Sequence, residues 1–160
     1  MEAFSRPATA TPPRGIHQAR VDDKGRLKLP SIFQQYLMAL GETSVFVTSL
    51  DDTIARIYPI SVWIENEKLF EQGGEAADAL ANMQFQANLM GADSEIDASG
   101  RILVPQKLRQ KLKIENQPVY LDCQKGRINV YSEAVLAERT ARAQKSLPED
   151  LRMAEKVGLK

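Results

Sequence analysis

One cysteine, one histidine and one tryptophan among 160 residues leave little of the side-chain chemistry that enzymes most often use. Cys123 has no second thiol in the chain to pair with, which fits a reducing compartment such as the cytoplasm. With His17 it makes no Cys/His metal cluster, so no metal and no cofactor is expected. No stretch approaches the ~20 apolar residues of a membrane span. No charge sign prevails either, because 21 Lys and Arg balance 21 Asp and Glu. Residues 1–13 carry Pro7, Pro12 and Pro13 and no apolar run, which argues against a secretory signal. That segment has too little apolar surface to offset its ordering entropy and is expected to be a disordered arm. The carboxylate pairs Asp22-Asp23 and Asp51-Asp52 are consecutive, so they point apart and serve turns rather than acid–base catalysis. An enzyme acting on a small-molecule substrate is therefore not expected.

What the chain does have is an internal repeat. Asp22, Gly25, Arg26 and Pro30 recur as Asp97, Gly100, Arg101 and Pro105, each 75 positions on, so that VDDKGRLKLP matches IDASGRILVP. Phe33 and Leu37 match Leu108 and Leu112 at the same offset. The offset then drifts to 74 at Val45/Val119 and to 73 at Arg56-Ile57-Tyr58 against Asn129-Val130-Tyr131. Shortening loops between equivalent elements produces such a drift.

Each half reads as a strand (16–21 or 92–96), a glycine turn, a short strand (27–29 or 102–104) and a proline that opens a helix. Ile32, Phe33, Tyr36 and Leu37 make an apolar stripe on the first of these helices. Runs at 44–48 and 54–58, and at 119–122 and 127–131, read as hairpins, the second around Lys125-Gly126. Helices at 61–71 and 133–145 close the halves, and Gly73-Gly74 ends the first. A linking helix places Ala76, Leu80, Met83, Ala87 and Met90 on one face. The segment after Pro148 is amphipathic but short enough to fray by itself. The fold class is α+β. Its expected divisions are an arm over 1–13, a first repeat over 14–73, a linking helix over 74–91, a second repeat over 92–146 and a tail over 147–160. Strands this short gain from pairing between the repeats or between chains.

The shared feature of the two halves is Asp-x-x-Gly-Arg. Glycine accepts the positive φ of a tight turn, and the arginine after it displays a planar five-donor fork. Asp22 and Arg26, like Asp97 and Arg101, are spaced so that the carboxylate can hold the guanidinium or cap turn amides. Two readings stand side by side: an ion pair that only stabilises a turn, or a pair of prongs offered to phosphates and base edges. Lys24, Lys28 and Arg20 make the first copy the more cationic, with Ser99 in place of Lys24 in the second. A zero net charge does not exclude nucleic acid, since the local sign decides.

Arg14-Gly15, VDDKGRLKLP, the stretch from Asp51 through Tyr58-Pro59 to Trp63, and IDASGRILVPQKLR together resemble the MraZ family of bacterial transcriptional regulators. Each half resembles the AbrB/SpoVT-type swapped-hairpin module, and the likeness spans residues 14–143. The resemblance implies two AbrB-like repeats folded into one pseudo-two-fold, double-ψ or swapped-hairpin barrel with flanking helices. It implies a cytoplasmic, nucleoid-associated protein that binds double-stranded DNA as a ring-shaped homo-oligomer. The expected target is short direct repeats upstream of the division and cell-wall gene cluster. The family's DNA-contacting residues map onto Asp22, Lys24, Gly25 and Arg26, and in the second copy onto Asp97, Gly100 and Arg101. Lys24 and Arg26 are then expected to enter a groove, and Arg20, Lys28 and Arg101 to meet phosphates. Gln34 stands where the family carries arginine after the first proline, whereas Arg109 keeps it in the second half. The other function class to weigh is an antitoxin-like adaptor that binds a protein partner. Leu147, Leu151 and Ala154 offer it only a thin apolar row.

Overall fold

The computed structural model describes residues 10–160. The expected arm falls largely on residues 1–9, outside the described residues; of its last four, Ala10 and Pro13 are buried. Among the described residues, six helices accompany eight strands in an α+β fold.

The first half runs through β1 (His17–Arg20), β2 (Arg26–Lys28), α1 (Ser31–Ala39), β3 (Ser44–Thr48), β4 (Ala55–Pro59) and α2 (Ile60–Phe70). After α3 (Ala77–Met90) the second half repeats the order with β5 (Ala92–Glu95), β6 (Arg101–Leu103), α4 (Gln106–Leu112), β7 (Pro118–Gln124), β8 (Arg127–Ser132) and α5 (Glu133–Gln144). A last helix, α6 (Leu147–Lys156), follows. The tail that was expected to fray is thus helical, opened by Pro148 in its first turn with Glu149 and Asp150 beside it at the positive end of the helix dipole.

Six strands form one antiparallel sheet in the order β1-β7-β8-β4-β3-β5, and β2 pairs with β6 in a separate ribbon. The order is a palindrome of the repeat. β1 pairs with β7 of the other half, Ala19 against Val119, and β5 pairs with β3, Ser94 against Val45. Each half therefore lends its first strand to its neighbour. The pseudo-two-fold axis passes between partners that are repeat equivalents of each other: Arg56 opposite Asn129 and Leu27 opposite Ile102.

The closed double-ψ barrel does not form. Hydrogen bonding in the sheet stops at β1 and β5, and Val21–Leu27 is an isolated bridge to the ribbon. β2 and β6 are three residues each, and Pro30 and Pro105 follow closely, with no N–H to extend the ladder. The core lies between sheet, ribbon and α1/α4, with Val21, Leu27, Phe33, Leu37, Ile57, Ile102, Leu108 and Leu121 buried. A second cluster of Phe46, Tyr58, Trp63 and Ala87 packs α2 and α3 on β3 and β4, with Phe46 stacked on Trp63 at 4.5 Å. Of the expected α1 stripe, Ile32 turns out to be exposed, whereas Phe33, Tyr36 and Leu37 are buried. Burying all four would need a wider apolar face than this nine-residue helix turns to the core.

Candidate nucleic-acid interface

Each Asp-x-x-Gly-Arg turn is built by its own aspartate. In the first, Asp22 Oδ1 accepts the amides of Lys24 (2.9 Å) and Arg26 (2.8 Å), and Oδ2 accepts Arg26 Nε at 2.9 Å. The second repeats this: Asp97 Oδ1 accepts the Ser99 and Arg101 amides at 2.9 Å, and Oδ2 accepts Arg101 Nε at 3.1 Å. One carboxylate thus caps the turn and orients the guanidinium together. The Arg26 amide above all holds the Asp22 carboxyl below its usual range, with Arg26's side chain and the Lys24 amide adding to the effect. Asp97 is lowered in the same way, chiefly by the Arg101 amide.

The glycines are needed twice over. Gly25 (φ +83°) and Gly100 (φ +77°) sit in the left-handed region. A Cβ on Gly25 would lie 2.1 Å from Arg109 Nη1, and one on Gly100 would lie 2.2 Å from the Gln34 side chain. Arg109 and Gln34 are repeat equivalents, so each turn is backed by a side chain from the helix of the opposite half. Arg109 Nη1 also donates to the Val104 carbonyl, and Gln34 Nε2 donates to the Leu29 carbonyl. An ion pair of 3.4 Å joins Arg109 Nε to Glu115 without hydrogen-bond geometry. The backing contact joins residues far apart in sequence. Its only signal there was that Arg109 and Gln34 share a repeat position.

The β2–β6 ribbon turns Leu27 and Ile102 inward and Arg26, Lys28, Arg101 and Leu103 outward. In the register Arg26 faces Leu103, and Lys28 lies directly opposite Arg101. Like charges directly opposite repel, and here the Asp97 carboxylate on Arg101 tempers that repulsion. The Arg26 and Arg101 side chains are 37% and 34% exposed, so neither is locked inward. Leu103, with 53% of its surface exposed, sits on the same outer face. Seven of the expected residues, Asp22, Gly25, Arg26, Lys28, Asp97, Gly100 and Arg101, thus gather on this ribbon and its two turns, with Lys24 at the tip of the first.

Arg20, exposed on β1, lines a shallow pocket with Lys28 beside the ribbon. Its guanidinium donates to the Asn116 carbonyl (2.8 Å) and Oδ1 (3.1 Å), which engages it on the loop before β7. Elsewhere the acidic pairs do turn work: Asp51 Oδ1 accepts the Thr53 and Ile54 amides at 3.0 Å. Among the described residues, no three His, Cys, Asp or Glu side chains converge as a metal site would require. No described helix is long and apolar enough to cross a membrane.

An outward ribbon with arginines held by aspartate-capped glycine turns defines a small α+β module with cations on one exposed face. Comparison with known proteins gives the family. The family model described as "MraZ protein, putative antitoxin-like" matches residues 89–153. A protein named Transcriptional regulator MraZ from Acidobacterium capsulatum is 36% identical over 111 residues, 69% of this chain and 76% of its own length. Its namesake from Marinomonas sp. is 36% identical over 114 residues, 65% and 70% of the two chains. That from Pseudomonas fluorescens (strain SBW25) is 30% identical over 154 residues, 87% and 96% of the two chains. The chain belongs to the MraZ family.

Proposed function

We propose that this protein is a sequence-specific, DNA-binding transcriptional regulator that reads double-stranded DNA with the β2–β6 ribbon and its turns. The observation that carries this reading is Lys28 facing Arg101 beside Arg26, three cations on the outer face of an exposed ribbon that a phosphate backbone can meet. The major groove admits a two-stranded β-ribbon, and an arginine can grip guanine O6 and N7 there in a bidentate pair. Arg26 supplies that grip, with Asp22 setting its direction; Lys24, Lys28 and Arg101 meet phosphates. The names borne by the relatives support the regulatory role.

One chain offers few contacts. Avidity from a ring-shaped homo-oligomer, reading short direct repeats upstream of the division and cell-wall gene cluster, supplies the remainder. The protein acts at the nucleoid and is not an enzyme. Selection of duplexes from a random pool at fixed salt tests the reading. The wild type should enrich a defined motif, and Arg26→Ala should enrich it less strongly, with the base preference lost at one position. Enrichment of no motif by the wild type would refute it.

A further inference from the structure

Among the described residues, the repeat that built the molecule left one helix site filled and its twin without a helix. In the first half, α3 lies against α2 and β3, burying Ala87 and Met90. Thr48 Oγ1 donates to the Ala87 carbonyl at 2.7 Å, and Gln86 Nε2 donates to the Ser49 carbonyl at 3.2 Å. α3 then enters β5 through Gly91, where a Cβ would strike Phe46, Ala87 and Thr48. The equivalents of Thr48, Ser49, Trp63, Phe70 and Gly91 are Asp122, Cys123, Leu136, Ala143 and Ile16. All five line an open cleft of about 520 Å³ between α5 and the sheet. The chain entering β1 at the matching step carries Pro12-Pro13 and forms no helix over residues 10–16.

A helix of the right pattern exists elsewhere in the chain. α6 buries none of its side chains, although Leu147, Leu151 and Met153 along it and Val157 at its end are apolar and exposed. Its Leu147, Ala154 and Val157 repeat the spacing of Leu80, Ala87 and Met90 on the inner face of α3: large, small, large. Asp150, which interrupts the apolar face, lines a shallow pocket with Arg139 and Arg142 of its own chain, at the outer end of the cleft. α6 cannot fold back as α3 does. The six residues 71–76, with Gly74 at φ +94°, let α3 turn against α2, whereas only Lys145 and Ser146 precede α6.

We infer that the cleft lined by Ile16, Cys123 and Leu136 receives α6 of a second copy of this chain. Cleft and helix are different surfaces, so the contact is head-to-tail and can propagate into a closed ring. The inference rests on the self-association within the proposed function and is independent of DNA.

The single native cysteine gives the test. If α6 seats as α3 does, Met153 takes the place of Gln86 and faces Cys123. Under mild oxidation, full-length Met153→Cys should form a disulfide from Cys123 to the new thiol of another chain. It should give covalent multimers on a non-reducing gel that vanish when Cys123→Ser is added. Glu155→Cys, about 160° around α6 from Met153, should give none. In parallel, light scattering at micromolar concentration should show an oligomer whose mass falls at least twofold in Leu147→Asp/Ala154→Asp. A wild-type monomer would overturn the inference and the self-association together. An oligomer without the Cys123 cross-link, or a cross-link within one chain, would overturn the inference alone. So would a mass unchanged in the double variant, and none of these results bears on DNA reading.

Discussion

The two β1–β2-type hairpins share a backbone and oppose each other in charge. Residues 16–29 carry four cations, Arg20, Lys24, Arg26 and Lys28, against Asp22 and Asp23, a net of +2. Residues 91–104 carry Arg101 against Asp93, Glu95 and Asp97, a net of −2. What has been kept in both is what the turn needs: an aspartate to cap it, a glycine at positive φ, and an arginine for the carboxylate to hold. What differs stands at exposed positions outside that turn machinery: Lys24 against Ser99, Lys28 against Leu103, Arg20 against Glu95. Even the backing side chain differs, a cation behind the first turn and an amide behind the second. Structural symmetry therefore does not make the turns electrostatic equals, and the first hairpin should dominate contact with a polyanion.

The sharpest way to break that comparison is to remove the arginines in turn. Arg26→Ala should weaken binding to a selected duplex by about 1–3 kcal/mol, roughly 5- to 140-fold, and relax base preference at one position. Arg101→Ala should cost less and leave base preference intact, as competition titrations would report. Next come the glycines, where the halves should behave alike. Gly25→Ala and Gly100→Ala each force a side chain into the left-handed region, and each should lose about 1–2 kcal/mol in denaturant unfolding. Exchanging the tips should give a smaller effect. Ser99→Lys should steepen the slope of log K against log salt by about 0.9 for one added phosphate contact, and Lys24→Ser should flatten it by the same amount. The smallest effect concerns pH. Asp22 and Asp97 titrate below their usual range in the folded protein, so their stabilising contribution is complete above about pH 4. It is lost only as pH falls through the lowered values. Stability curves between pH 6 and 8 should therefore show no change attributable to these turns.

Much of this was legible in the sequence because the repeat aligned each half against the other. The glycine turns, the prolines that open α1 and α4, and Asp22 and Asp97 as the residues that cap them all follow from local chemistry. Which strand pairs with which does not. β1 reads the same whether it lies beside its own half or the other, and only the burial of Val21 and Leu27 against Ile102 selects the exchange. The barrel expected from family resemblance gave way because three-residue strands closed by proline cannot carry a ladder around. Arg20 illustrates the same limit at the site. Its charge suggests a phosphate contact, and the sequence gives no sign that Asn116, 96 residues away, holds its Nη2.

The most direct test is a salt-dependent titration of a selected duplex with the wild type and Arg26→Ala side by side. The wild type should show an affinity that falls linearly on a log–log plot, and the variant should bind more weakly with a nearly parallel slope, because Arg26 reads a base rather than a phosphate. Superimposable curves would mean that the first turn does not touch DNA.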